Sequence, residues 1–241
     1  MKSSPMDNKE PSNGKCALCG GIYSKRVMKK HLDSCRTKKS LIKDNIVGKD
    51  VFLILVEGKY YPQYWMFLEV DADATLYDLD NFLRKIWLEC CGHLSAFTIG
   101  TKRYISYIDE SDDFWAHFWG REPDKDMDIE LNKVLALKMK FYYVYDFGSS
   151  TELVLKVAGK YQSEFQDESV RLLARNEPPK IICGICGKKI ATQVCPICID
   201  SPEGWFCDDC SRKHKCDECD EEMFLPVANS PRVGTCAYTG E

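Results

Sequence analysis

The sequence lacks the long apolar segments of membrane and exported proteins. Its longest uninterrupted apolar run is "VFLILV" at 51–56, far shorter than the ~20 residues that cross a bilayer as a helix. The beginning, "MKSSPMDNKEPSNG", contains no apolar stretch that would make a secretory signal. We therefore expect a cytoplasmic protein, in a reducing compartment where clustered cysteines are metal ligands more often than disulfides.

Motifs of the common enzyme classes are also missing. The sequence has no P-loop, no GxSxG nucleophile elbow and no GxGxxG dinucleotide motif. In the middle of the chain, His93, His117 and Asp146 are the candidates for an acid–base site, which requires a histidine and a carboxylate within hydrogen-bonding distance. The alternative is structural, with His93 at the start of a strand and Asp146 in a turn that bonds its own backbone. We predict no catalytic residue.

Cysteine and charge are unevenly distributed and divide the chain into three segments. Of the 14 cysteines, three lie in 1–45, two at 90–91 and nine in 183–236. The net charge is +7 for 1–45, −8 for 46–179 and −3 for 180–241. We predict a basic finger with its tail at 1–45, a middle domain at 46–179 and a cysteine-rich zinc-binding module at 180–241.

The first segment has the ligand spacing of a single zinc finger. Cys16, Cys19, His31 and Cys35 form a C-x2-C-x11-H-x3-C pattern, and the last two share one face of a helix because they are four residues apart. The pattern resembles a C2HC variant of the ββα zinc finger. A unit of ~20 residues cannot bury a stable core, so metal must supply its folding energy.

The helix of this finger is basic, and three interpretations of it remain open. It is a solvated basic surface, a non-specific contact to nucleic acid, or a protein-docking surface. Val27 occupies a base-reading position but cannot hydrogen-bond a base edge. Contacts to phosphates suit the cationic side chains better, and the predicted nucleic-acid-binding residues are Lys25, Arg26, Lys29, Lys30 and Arg36.

Hydrophobic periodicity in the middle segment predicts an α+β fold with a mainly antiparallel sheet and two helices packed on one face. Leucines recur at helical spacing from Leu76, with Asp73 or Thr75 as the N-cap, and a second helix is predicted over 128–138. Two strands are predicted within 51–70, around a turn near Gly58, and further strand-like segments are 95–100, 102–107, 140–147 and 151–159. The segment 169–179 could be a helix or a strand, and its position before Pro178 and Pro179 favours a closing strand.

The middle segment also resembles a known family, the Ri-plasmid open-reading-frame-three-like domain. This domain also occurs in passenger proteins of an insertion element, so the resemblance implies a mobile-element association but no settled activity. In place of the family's Asp, Trp and His in the hairpin, this chain has Ser149, Thr151 and Leu153. The matching positions are Trp65, Thr75, Leu76, His93, Leu94, Phe97, Tyr145, Asp146, Phe147 and Gly148.

One acidic stretch of the middle segment is also rich in aromatic residues. The segment 109–128, "DESDDFWAHFWGREPDKDMD", contains eight acidic residues around two phenylalanines and two tryptophans. It is either a loop whose aromatics fill a gap against the sheet or an aromatic patch with an acidic rim that receives a basic partner segment.

The third segment contains four Cys-x-x-Cys pairs in series, which indicates zinc rather than a redox pair. Two ions need eight ligands. The predicted ligands are Cys183, Cys186, Cys195, Cys198, Cys207, Cys210, His214, Cys216 and Cys219, with Cys236 left open. The tract is similar to HIT-type, MYND and B-box fingers. That similarity implies interleaving, in which the first pair joins the third and the second joins the last.

Together these patterns predict a non-enzymatic adaptor that holds about three structural Zn²⁺ ions. Its expected partner is a protein, with nucleic acid as a second partner through the basic finger and with no membrane contact. The alternative is an enzyme, a hydrolase or nuclease, whose site lies near His93 and Asp146.

Overall fold

The computed structural model describes residues 5–7, 12–40, 48–107, 123–163, 168–216, 218–219 and 223–240, and of residues 37–40 it describes the backbone alone. His117 and most of the acidic aromatic segment 109–128 lie outside the described residues. None of the helices within these ranges is long and apolar enough to cross a membrane.

A ten-stranded sheet forms the centre of the protein. Its strands are β1 (Asn13–Cys16), β2 (Ile22–Ser24), β3 (Lys49–Gly58), β4 (Trp65–Asp71), β5 (Ser95–Ile99), β6 (Lys102–Ile105), β7 (Lys125–Asp126), β8 (Lys140–Tyr145), β9 (Thr151–Ser163) and β10 (Val170–Asn176). Their order is β2-β1-β10-β4-β3-β9-β8-β5-β6-β7. The neighbours pair antiparallel except β6 with β7. The predicted α+β fold with a mainly antiparallel sheet is confirmed.

The first helix of the middle segment begins where the sequence predicts. In α2 (Leu76–Leu83), the Thr75 hydroxyl accepts a hydrogen bond from the Asp78 N–H, and the Asp78 carboxylate accepts one from the Thr75 N–H at 2.8 Å. This reciprocal capping satisfies N–H groups that a helix start leaves unpaired. Leu76, Leu79 and Leu83 are buried on the sheet, and one π-helical turn, Arg84–Leu88, continues the helix.

The second predicted helix, over 128–138, is much shorter in the structure. Only α3 (Leu131–Val134) is helical, and Leu135 is already extended. Lys138 has φ 68° and donates its N–H to the Val157 carbonyl at 3.0 Å. The chain must reverse direction here to enter β8, so residues that have helical periodicity form a turn instead.

The N-terminal segment 12–40 covers the other face of the sheet. Strand β1 pairs with β10, with Cys16 opposite Ala174. Helix α1 (Lys25–Ser40) buries Met28, Leu32 and Cys35 against a second apolar cluster. The sheet side of that cluster consists of Leu53, Trp65, Phe67, Leu173 and Ala174. Both faces of the central strands are therefore covered, which explains why β4 is buried at every residue.

The cysteine-rich segment forms a small sheet of its own and then returns to the central domain. Strand β11 (Gln193–Val194) lies between β12 (Trp205–Phe206) and β13 (Leu225–Pro226). After β13, the Ser230 hydroxyl donates to the Trp87 carbonyl at 2.6 Å, and Arg232 is completely buried. We call residues 228–238 the return segment.

Candidate metal centres

The first cluster of metal-binding side chains lies where α1 meets the β1–β2 turn. The ligand atoms of Cys16, Cys19, His31 and Cys35 all lie within 4.8 Å of one another. Cys19 Sγ is 3.4 Å from His31 Nε2, and the Gly21 N–H donates to the same sulfur at 3.4 Å. The Tyr23 ring stacks on the His31 ring at a centroid distance of 3.9 Å and holds the imidazole in place.

Burial and neighbouring thiols disfavour the ionised form of Cys35 in this cluster. Burial raises the pKa of Cys35 to about 11, and the neighbouring Cys19 and Cys16 add to the rise. Thiolates packed this closely repel one another, and a bound cation removes the repulsion. Four ligand atoms within 4.8 Å of one another form a donor set that a divalent metal ion can occupy.

The second cluster joins the first and third Cys-x-x-Cys pairs. The sulfur atoms of Cys183, Cys186, Cys207 and Cys210 lie within 4.8 Å of one another. Burial alone would raise the pKa of Cys183, but N–H groups of Cys186, Cys207 and Ile185 outweigh it and lower this pKa to about 6. Backbone N–H groups that point at a sulfur stabilise the thiolate, which is the form that binds metal.

Two glycines allow the turns of this module to approach each other. A Cβ on Gly184 would lie 1.8 Å from the Pro202 carbonyl oxygen, and one on Gly204 would lie 2.0 Å from the Cys198 carbonyl oxygen. The Gly184 N–H donates to the Trp205 carbonyl, and the Cys195 N–H donates to the Gly204 carbonyl, each at 2.8 Å. These bonds bring pairs that are distant in the sequence side by side.

The third cluster joins the second pair to residues near the end of the tract. Cys195, Cys198, His214 and Cys216 offer ligand atoms within 4.8 Å of one another. Buried Cys219 belongs to the same apolar cluster as Cys195. Nε2 of His214 is buried and has no hydrogen-bond partner in the described part of the chain, so this donor set fits a metal ion. The first pair thus groups with the third, whereas the second pair groups with His214 and Cys216 rather than with both cysteines of the last pair, Cys216 and Cys219.

The structure brings His93 and Asp146 together, but the carboxylate is already engaged. His93 Nε2 is 3.6 Å from Asp146 Oδ2. Buried Arg232 donates to the same oxygen at 2.8 Å, and the N–H groups of Gly148 and Ser149 donate to Oδ1. Although burial opposes it, these bonds lower the pKa of Asp146, which weakens it as a base. Its turn geometry, φ 64°, agrees with the structural interpretation.

Sequence reasoning missed the surroundings of His93. Cys90 is half-buried and Cys91 is exposed. Both cysteines and Cys236 have their sulfur atoms within 4.8 Å of one another and of a His93 ring nitrogen. The Cys-Cys-Gly-His run at 90–93 is a local signal that could have indicated ligands, whereas Cys236 has no such signal because it is 143 residues from His93.

The predicted nucleic-acid-binding residues do not all face solvent. Lys25 pairs with Glu57 at 2.5 Å, and the Arg36 guanidinium lies over the Tyr161 ring at 3.3 Å. Lys29 pairs with Asp33 on the surface of α1. Arg26 and Lys30 are exposed. The structure thus divides this set into two residues that hold α1 on the sheet and three on the outer surface.

Comparison with known proteins bears on the middle of the chain. The family model described as plasmid pRiA4b ORF-3-like protein matches residues 54–195, more than half of the chain, and confirms the resemblance noted from the sequence. Among solved structures, the chain is similar to a protein of unknown function from Methanosarcina mazei Go1, at 19% identity and a TM-score of 0.44. That similarity covers 54% of this chain and 71% of the other. No curated protein matches the chain.

Proposed function

The chain belongs to the plasmid pRiA4b ORF-3-like family. On this premise we propose that it is a non-enzymatic binding protein of the cytoplasm, stabilised by zinc. Three structural Zn²⁺ ions stabilise the finger and the cysteine-rich segment, and its partner is a protein. The basic surface of α1 adds weak contacts to nucleic-acid phosphates. The plasmid-derived family suggests a mobile-element setting.

The observation that supports this proposal most strongly is the closure of three ligand sets. Each contains four side chains with ligand atoms within 4.8 Å of one another. Structural zinc is tetrahedral and is bound by four thiolate or imidazole ligands, whereas catalytic zinc keeps one position for water or substrate. No position remains for substrate when all four ligands come from the protein.

Each ion would connect parts of the chain that are separate in the sequence. In the finger, zinc would tie the turn after β1 to α1, which covers one face of the sheet. In the cysteine-rich segment, it would tie Cys183 and Cys186 to Cys207 and Cys210. Structural zinc contributes ~10–16 kcal/mol of apparent binding free energy, which is sufficient to fold segments with little apolar content.

A protein partner is supported by apolar side chains on the surface of the cysteine-rich segment. Ile182 and Ile190 pair across an antiparallel bridge and are 50% and 53% exposed, and Ile197 is 50% exposed. Contiguous exposed apolar side chains mark protein-interaction sites, and the Ile182–Ile190 pair supports a docking surface here.

Nucleic acid is the weaker of the two partners in this proposal. Only Arg26, Lys29 and Lys30 of the predicted set lie on the outer surface of α1, and Lys29 already pairs with Asp33. Val27 is 48% exposed on the same surface and offers no hydrogen bond to a base. Contacts of this kind neutralise phosphates without reading sequence.

The alternative, a hydrolase or nuclease at His93 and Asp146, is disfavoured by Arg232. A general base needs a carboxylate or imidazole that is available to the substrate. The Asp146 carboxylate instead accepts hydrogen bonds from a guanidinium and two backbone N–H groups.

The test is capture of partners by tagged protein from native cells, with and without nuclease. The Ile182→Asp/Ile190→Asp double variant should lose a partner that wild type retains after nuclease treatment. Leu137→Asp is the matched control, because Leu137 is 56% exposed on the turn before β8, and it should keep the partner. Two outcomes contradict the proposal. In one, nuclease abolishes capture of the partner by wild type; in the other, the double variant still captures the partner.

A further inference from the structure

The side chains around His93 form a fourth ligand set, outside the three centres described above. Cys90 and Cys91 follow the turn that ends α2, His93 precedes β5, and Cys236 lies in the return segment. We infer that these four residues bind a fourth Zn²⁺ ion, which anchors the return segment to the central domain.

The spacing of the ligand atoms matches a tetrahedral zinc ion. Cys91 Sγ and Cys236 Sγ are 3.7 Å apart, and Cys236 Sγ is 3.5 Å from His93 Nε2. With Zn–S of ~2.3 Å and Zn–N of ~2.0 Å, tetrahedral geometry places two sulfurs about 3.8 Å apart and sulfur and nitrogen about 3.5 Å apart. The sulfurs are also well beyond the ~2.05 Å length of a disulfide bond.

The turns at this cluster contain residues in the left-handed region of backbone conformation. Cys236 has φ 55° although it is not glycine, and Gly92, between the ligands Cys91 and His93, has φ 70°. Left-handed non-glycine residues are rare and concentrate at functional sites. The two turns bring side chains from 90–93 and from Cys236, more than 140 residues later, to one point.

A buried cation, Arg232, stands beside the cluster and stabilises its negative charge. Three thiolates and one neutral imidazole around Zn²⁺ carry one negative charge in excess. Arg232, which is completely buried, donates to Cys90 Sγ at 3.3 Å and to Asp146 Oδ2 at 2.8 Å. Burial of a guanidinium requires paired negative groups, and a metal–thiolate centre next to Asp146 supplies them.

The exposure of this cluster distinguishes it from the cluster of Cys183. Cys91 and Cys236 are exposed, whereas Cys183, Cys207 and Cys210 are buried. Solvent and chelators reach exposed ligands first, so the fourth ion should leave before that of the buried cluster. Loss of the ion should free the end of the return segment.

Metal content of the full chain under reducing conditions tests the inference. Wild type should hold four zinc ions, and Cys91→Ser and Cys236→Ser should each hold three. Ser230→Ala is the matched control, because it removes the hydrogen bond from the return segment to Trp87 but no ligand, and it should hold four. Three zinc ions in wild type would overturn the fourth site, and so would loss of an ion from Ser230→Ala. Fewer than three zinc ions in wild type would also contradict the proposed function.

A second measurement needs no variant. Iodoacetamide labelling of native protein, read by mass spectrometry, should spare Cys91 and Cys236 despite their exposure until a mild chelator is added. Their labelling should then precede that of Cys183, Cys207 and Cys210. Immediate labelling of Cys91 and Cys236, or a disulfide between them in the reduced protein, refutes metal binding at this cluster.

Discussion

Leu32→Ala is the substitution that best shows whether the finger helix is part of the central core. Leu32 is completely buried, in contact with the sheet side of the second apolar cluster, which includes Leu53, Trp65 and Leu173. If α1 covers one face of the sheet, loss of this side chain should destabilise the whole sheet. If the finger were independent, the loss would stay local.

The magnitude follows from the amount of apolar surface removed. Leu→Ala removes the equivalent of about three methylene groups, at ~0.8 kcal/mol each. The cavity left in a rigid core adds to that cost, and buried Leu→Ala substitutions destabilise by ~2–5 kcal/mol in all. Val27→Ala is the matched control on the same helix, because Val27 is 48% exposed, and it should change stability by less than ~0.5 kcal/mol.

The assay is urea unfolding of the full chain at a fixed free zinc concentration, since metal binding is linked to stability. Tryptophan fluorescence is followed together with the far-UV circular dichroism of the sheet. Leu32→Ala should shift both transitions together to lower urea. If neither unfolding transition shifts, or if only a separate minor transition shifts, α1 does not belong to the core.

Three further predictions concern the interior, the ligand pairing and the basic surface. Asp80→Ala should lower the free energy of unfolding by ~3–5 kcal/mol, because buried Asp80 accepts hydrogen bonds from Arg84, Ser95 and Tyr143; denaturation that matches wild type contradicts this. Cys207→Ser should increase hydrogen exchange around Cys183 and Cys186, whereas an effect limited to 195–210 rules out interleaving. Duplex binding should be weak, with Kd on the order of 10⁻⁴–10⁻⁶ M at physiological salt, and replacing Arg26 and Lys30 by Ala should reduce its log–log salt slope by about two units; binding that ignores salt contradicts phosphate contact.

Local patterns in the sequence predict the elements whose residues interact with near neighbours. Thr75 and Asp78 cap α2 through contacts three residues apart, and β8 and β9 pair around a short turn. The same reasoning overestimates the helix at 128–138, because Lys138 must turn the chain into β8. Periodicity reports which residues can share a face but not whether the chain has room to continue.

Long-range contacts account for what the sequence does not reveal. Nothing near Cys16 in the sequence indicates that β1 pairs with β10, nearly 160 residues later. Arg232 and Cys236 reach His93 and Asp146 from the far end of the chain. The fourth cluster therefore becomes visible only when the return segment is placed on the central domain.

X-ray absorption at the zinc edge, on the purified full chain, tests the central claim most directly. The three closed centres supply three, four and three thiolates, with one imidazole in the first and third. The spectrum should show four ligands per zinc, mostly sulfur at ~2.3 Å with a minority of nitrogen at ~2.0–2.1 Å. A shell of five or six ligands dominated by oxygen or nitrogen, or protein that carries no zinc, contradicts the account.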